Sequence, residues 1–263
     1  MSRFSFNQIT AKHWELTDLV KGLVEADVDK VALWREPVQE YGLERSAALV
    51  RDAGLSVTTL CRSGFFQLDG WFDDNRRAID EAAALGTSVL VLVSGGLPEG
   101  SKDIAGAREH VADAIAQLVP HAAAAGVTLA IEPLHPMYAA DRCVINTWDQ
   151  AIAIAEQHPA GQVGVTVDTY HLWWDDTVLP KIEQAGERIA IYQLADWITP
   201  LPAGVLTGRG LPGDGCIDMR AFHVAVERAG YTGPIEVEVM NEELWQRPGR
   251  EILADTIAGY QSI

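Results

Sequence analysis

Apolar positions along the chain recur with two alternating periods. Short runs rich in Val, Ile and Leu alternate with longer stretches in which apolar residues return every three or four positions, the pattern of strands followed by amphipathic helices. Strands are expected at residues 3–9, 29–34, 56–61, 88–93, 127–132, 163–168, 188–193 and 234–239. Helices are expected at residues 16–26, 38–53, 73–85, 103–125, 147–156, 176–185, 218–229 and 247–260, several of them ended by a glycine such as Gly86, Gly126 or Gly230. Alternating β and α elements imply a parallel sheet, and this many pairs imply a closed (β/α)8 TIM barrel. No linker or low-complexity tract divides residues 1–263, which are expected to form a single domain. An open doubly wound sheet is the alternative, but no strand-turn-helix glycine fingerprint follows the first strand.

In a barrel of this kind reactive groups sit at the C-terminal strand ends. Four consecutive strand candidates close on an oxygen-bearing side chain: VTLAIE on Glu132, VGVTVD on Asp168, IAIYQ on Gln193 and PIEVE on Glu238. Three carboxylates gathered at one rim repel one another and are driven toward protonation unless a cation sits among them, so the arrangement points to a divalent-metal site. Side chains alternate along a strand, which sends Glu236 and Glu238 inward and Ile235, Val237 and Val239 toward the helices. Glu236 lies one layer deeper and is expected to be a buried, hydrogen-bonded support rather than a ligand. Oxygen donors favour Mn²⁺, with Mg²⁺ or Co²⁺ as alternatives, over Zn²⁺ in a thiolate or all-histidine site.

The runs LAIEPLH, VTVDTYH, YQLADW and EVEVMNE, with GRGLPGDGCID between the last two, resemble the xylose isomerase-like TIM-barrel superfamily of sugar isomerases and epimerases along essentially the whole chain. The resemblance implies that Glu132, Asp168, Gln193 and Glu238 hold the metal, and that Glu132 and Glu238 also move protons beside a sugar carbonyl. The family usually has histidine where this chain has Gln193, which implies weaker metal binding; the alternative is that Gln193 only hydrogen-bonds substrate. His171 matches the family's substrate-contacting histidine. His135 also follows a ligand-bearing strand closely and would suit a general base.

Around these groups, Arg209 is expected to hydrogen-bond sugar hydroxyls or a carbonyl. The glycine-rich loop that carries it is read as a shaped, mobile loop rather than a phosphate cradle, for it lacks the Lys-Ser/Thr of a P-loop. Trp34, Trp173, Trp174, Trp197 and Trp245 fall at or after strand ends and suggest an aromatic-walled mouth, with Trp34, Trp173 and Trp197 as substrate contacts.

Three functions compete. The resemblance extends to the large subunit of bacterial C-glycoside deglycosidases, which implies a lyase acting on 3-oxo-glycosides, with His135 beside the aglycone and a separate small partner subunit in a higher oligomer. This reading is preferred narrowly over ketose isomerisation or epimerisation, and both over a nonenzymatic sugar-binding barrel. Composition removes other classes. Twenty Lys+Arg against 37 Asp+Glu give a net charge of -17, which repels nucleic acid and anionic membrane surfaces. Three widely spaced cysteines, Cys61, Cys143 and Cys216, without a signal-like N-terminus or a long apolar stretch, lead to the expectation of a soluble cytoplasmic protein with a small sugar or glycoside as partner.

Overall fold

The computed structural model describes residues 2–202 and 204–263. Eight parallel strands close on themselves: β1 (Phe4–Asn7), β2 (Lys30–Trp34), β3 (Ser56–Gly64), β4 (Val89–Val93), β5 (Thr128–Ile131), β6 (Val163–Asp168), β7 (Ile189–Leu194) and β10 (Ile235–Val237). Closure is made by β1 on β10, where Phe4, Ser5 and Phe6 pair with Ile235, Glu236 and Val237. Between β7 and β10 the chain adds a short antiparallel ribbon, β8 (Asp196–Trp197) on β9 (Arg209–Gly210), which the periodicity did not predict. Among the described residues no helix is long and apolar enough to cross a membrane.

Helices surround the barrel where the pattern placed them, with two differences. The helix expected at 38–53 is two, α2 (Arg35–Tyr41) and α3 (Leu43–Asp52), because Gly42 adopts φ 101°, a left-handed value that interrupts the helix. The one expected at 176–185 shortens to α8 (Val178–Ile182), while one turn, α7 (Thr169–Leu172), follows β6 directly. The others are α1 (Leu16–Glu25), α4 (Trp71–Leu85), α5 (Ile104–Ala125), α6 (Trp148–Ala155), α9 (Met219–Arg228) and α10 (Gly249–Gln261). Asp103, Thr147 and Asp218 start α5, α6 and α9 by accepting the backbone N–H of Gly106, Gln150 and Ala221.

The apolar core lies between strands and helices, with Phe4, Leu33, Leu60, Leu90 and Leu129 fully buried. Inside the barrel the filling turns polar. Ser5 Oγ lies 2.8 Å from Thr58 Oγ1, which donates to Glu236 Oε1 at 2.7 Å, and Gln193 Nε2 donates to Glu236 Oε2 at 3.0 Å. Glu236 is thus the hydrogen-bonded support expected, and its burial pushes the carboxyl up to about 7. β3 runs beyond the predicted strand as far as Gly64, which carries Arg62 toward the rim. At Gly64 (φ 102°) a Cβ would stand 2.0 Å from the Val93 carbonyl oxygen, so only glycine permits this approach of β3 to β4.

On the outer side Arg35 ties α2 to α4, its Nε donating to Glu81 Oε2 at 2.6 Å and its Nη1 to Asp74 Oδ2 at 2.9 Å. Glu81 is 6% exposed, so removing its partner strands a buried charge. Arg35→Met should cost about 3–5 kcal/mol in chemical denaturation, whereas Glu81→Gln, which keeps a polar partner, should cost less. An unchanged midpoint for Arg35→Met would show that the pair contributes nothing.

Candidate active site at the C-terminal end of the barrel

Strand ends deliver the acidic residues to one place. Glu132 follows β5, Asp168 ends β6 and Glu238 follows β10; all three are almost fully buried. Glu132, Asp168 and His171 each offer a ligand atom within 4.8 Å of the others. Gln193 stands in register with Asp168 on one side and Glu236 on the other, one layer below Glu238, a consequence of the stagger that closes a barrel. The four predicted ligands therefore share one end of the barrel but not one level.

A guanidinium stands among the carboxylates. Arg209 Nη1 donates to Glu238 Oε2 at 2.8 Å and to Asp168 Oδ2 at 3.3 Å, and its Nη2 lies 3.1 Å from His171 Nε2. Expected from the sequence to hydrogen-bond sugar hydroxyls or a carbonyl, it supplies countercharge to two acids and is, among the described residues, the one guanidinium within ion-pair distance of them. One positive charge does not balance three negative ones. Burial, with the nearby Glu238 and Asp168, pushes the Glu132 carboxyl well above the usual range, and burial raises Asp168 against the opposing pull of Arg209. His171, buried and beside Arg209, is held well below its usual range and so stays neutral.

Several polar atoms here are buried without a partner: Glu132 Oε1, Gln193 Oε1, Tyr138 Oη and Arg209 Nε. Gln193 Nε2 is committed to Glu236, which fixes the amide and leaves its oxygen as the idle acceptor. Glu238 is held from the other side by Asn7 Nδ2 at 3.2 Å, and Asn7 Oδ1 in turn accepts the Trp34 indole N–H at 2.8 Å. Idle acceptors next to surplus negative charge form a donor set that a divalent cation fits.

Glu132, His171, Arg209, Glu238 and Trp34 line a narrow cleft together with Cys61, Arg62, Tyr138, Arg142 and Met240. Asn7, Arg62, Tyr138 and Arg142 were not singled out from the sequence; only the strand-end position of Asn7 and Arg62 could have found two of them. His135 is not among the lining residues. Its backbone N–H donates to His171 Nδ1 at 3.3 Å, and its ring packs 5.0 Å from Trp197 and 5.9 Å from Trp174. Trp173 and Trp197 likewise pack on each other at 5.3 Å, with Trp197 stacked on Tyr170, and do not line the cleft. The aromatic mouth is thus two clusters: Trp34 and Trp245 on an adjoining cavity, and the His135 group on the opposite flank.

The glycine-rich loop wraps a single carboxylate. Asp196 accepts the backbone N–H groups of Trp197 and Ile217 on Oδ1 and of Gly213 and Gly215 on Oδ2, at 2.8–3.0 Å. Amides that a phosphate would need are therefore already used, and the loop has the shaping role expected of it. A Cβ at Gly215 would stand 2.3 Å from the Trp197 carbonyl oxygen.

Comparison with known proteins gives this arrangement a family. Residues 21–261 match the model of the xylose isomerase-like TIM barrel, and the chain belongs to that family. It is 32% identical over 264 residues to 3-dehydroshikimate dehydratase of Pseudomonas aeruginosa, covering 94% of this chain and 39% of that protein. It is 30% identical over 145 residues to inosose isomerase of Bacillus subtilis, covering 54% of this chain and 50% of that enzyme. The chain thus spans half or less of the length of each of these relatives. A crystal structure of a Sinorhizobium meliloti 1021 protein superimposes with a TM-score of 0.95 at 43% identity, over 99% of this chain and 98% of that one.

The Asp196 hub makes a direct prediction. Asp196→Ala should speed hydrogen exchange at the amides of Gly213, Gly215 and Ile217 by at least ~10-fold, since each loses a charge-assisted acceptor, and Asp196→Asn should fall between. Unchanged protection in the alanine variant would show that the loop is held by other contacts.

Proposed function

We propose that this member of the xylose isomerase-like TIM barrel family is a divalent-metal-dependent enzyme that removes a proton beside the carbonyl of a small polyhydroxylated ketone. The observation that carries this reading is the mismatch at the rim: three buried carboxylates, a single guanidinium in ion-pair contact with them, and idle acceptor oxygens on Glu132 and Gln193. Glu132, Asp168, Gln193 and Glu238 would hold the ion, with His171 as a nitrogen donor beside them, and the preponderance of oxygen favours Mn²⁺. When bound, the ion supplies positive charge at the substrate carbonyl and stabilises the enolate that forms.

The chain's own residues divide the remaining work. Glu132 lines the cleft, its Oε1 has no partner, and it is the carboxylate free to take the proton. Glu238 is fixed by Asn7 and Arg209 and returns or steadies charge on the opposite side. Tyr138 keeps its phenolic proton, burial raising it to about 12, and presents an unpartnered O–H to a substrate or leaving-group oxygen. Leu134, Leu206 and Met240 help to exclude water.

Dehydration and isomerisation, the reactions named for the two relatives, share this opening step and differ in whether a neighbouring hydroxyl departs or the proton returns elsewhere. Loss of a β-substituent is the preferred continuation here. Cleavage of a 3-oxo-glycoside is the same elimination with an aglycone in place of water, and the half-exposed His135 between Trp174 and Trp197 is the observation that favours it as a second reading.

In deuterium oxide, Mn²⁺-loaded protein should exchange the hydrogen beside the carbonyl of a cyclic polyhydroxy ketone, and exhaustive chelation should abolish the exchange. Glu132→Gln and Glu238→Gln should each reduce it ~10²–10⁴-fold with circular dichroism unchanged. Full exchange after chelation would overturn the metal-dependent reading. For the second reading, His135→Ala should suppress aglycone release far more than exchange; equal losses would remove His135 from that role.

A further inference from the structure

Two arginines in the cleft are uncommitted. Arg62 leaves β3 and Arg142 stands in the segment after β5, and both line the inner cleft with Glu132 and Glu238. Both also line the adjoining cavity of about 420 Å³ with Gln8, Lys12 and Trp245, so they stand where the two spaces join. Arg62 is held in place by aromatic faces, its Cζ 4.6 Å from the Phe65 ring centre and 5.6 Å from that of Trp34.

Yet its Nε is buried without a hydrogen-bond partner, and among the described residues neither guanidinium makes an ion pair. By contrast, the buried arginines Arg35 and Arg209 are each shared between two carboxylates. Burial and the nearby Arg142 hold the Arg62 guanidinium below its usual range against the weaker opposing pull of Glu36 and Glu132, so two like charges face one space with no carboxylate in ion-pair contact.

Resting on the proton-abstraction reading above, we propose that the substrate carries a carboxylate at the end remote from its reacting carbonyl, and that Arg62 and Arg142 bind it. A flat carboxylate matches the guanidinium fork, and one negative charge relieves the repulsion between the two arginines. A phosphate monoester fits less well. Glycine-loop amides that could cradle it are taken by Asp196, and Glu36 and Glu40 on the wall of the adjoining cavity oppose a second negative charge. The arginines also screen an anionic substrate from the acids that must act on it.

The test is titration calorimetry of the full chain with three matched probes: a polyhydroxycyclohexane carboxylate, its primary amide, and the analogue bearing a phosphate monoester in place of the carboxylate. The carboxylate should bind at least ~10²-fold more tightly than the amide, and Arg62→Met with Arg142→Met should shrink that ratio to about threefold or less. The Arg62→Lys and Arg142→Lys pair, which keeps charge but not the fork, should fall between and provides the test if the methionine pair fails to fold. Equal binding of acid and amide, a preference that survives both pairs, or tighter binding of the phosphate ester would each overturn the proposal. Because binding is read without turnover, carboxylate preference with no hydrogen exchange on any ketone would overturn the proton-abstraction reading alone, and exchange without that preference would overturn this proposal alone.

Discussion

Surplus buried negative charge at the open end of the barrel is the constraint on which the rest of the site depends. Closing eight strands brings Glu132, Asp168 and Glu238 into a space that water hardly reaches, where burial, and after it the neighbouring Glu238 and Asp168, raise the proton affinity of Glu132. Arg209 relieves part of this by bridging Asp168 and Glu238. Its position depends on the β8–β9 ribbon, and the ribbon on Asp196, whose carboxylate gathers the loop that follows. Glu132 is left without an arginine in ion-pair contact and with one oxygen unpartnered, and the same feature makes it a group able to exchange a proton.

The polar layer beneath this rim has a complementary role. Glu236 accepts from Thr58 and Gln193 and, pushed up to about 7, carries less charge into the cluster than an ordinary carboxylate would. By holding Gln193 Nε2 it also orients the amide oxygen, so a side chain with two equivalent-looking ends presents only one of them.

What was legible in the sequence follows from the range of each interaction. Strand periodicity and its closing acids are local signals, and all eight strands and the inward direction of Glu236 and Glu238 could be read from them. Arg209 could be seen as a site residue but not placed, because its partners Asp168 and Glu238 lie 41 and 29 positions away. Asn7, Arg62 and Arg142 are brought together only by barrel closure and by the extension of β3 past its apolar run; strand-end position marks the first two, and no short-range pattern marks Arg142. The tryptophans were only partly placed by sequence: position after a strand end is a local feature, but whether a large ring lines the cleft, as Trp34 does, or packs on Tyr170, as Trp197 does, is decided by the neighbouring loops.

The account is tested most directly by anomalous diffraction from crystals of the protein equilibrated with Mn²⁺, recorded on both sides of the manganese edge. A single strong peak is predicted among the carboxylates of Glu132, Asp168 and Glu238 and the amide oxygen of Gln193, with Gln193 Nε2 still on Glu236. Crystals that show no manganese there, with Arg209 as the only cation between Asp168 and Glu238, would contradict it.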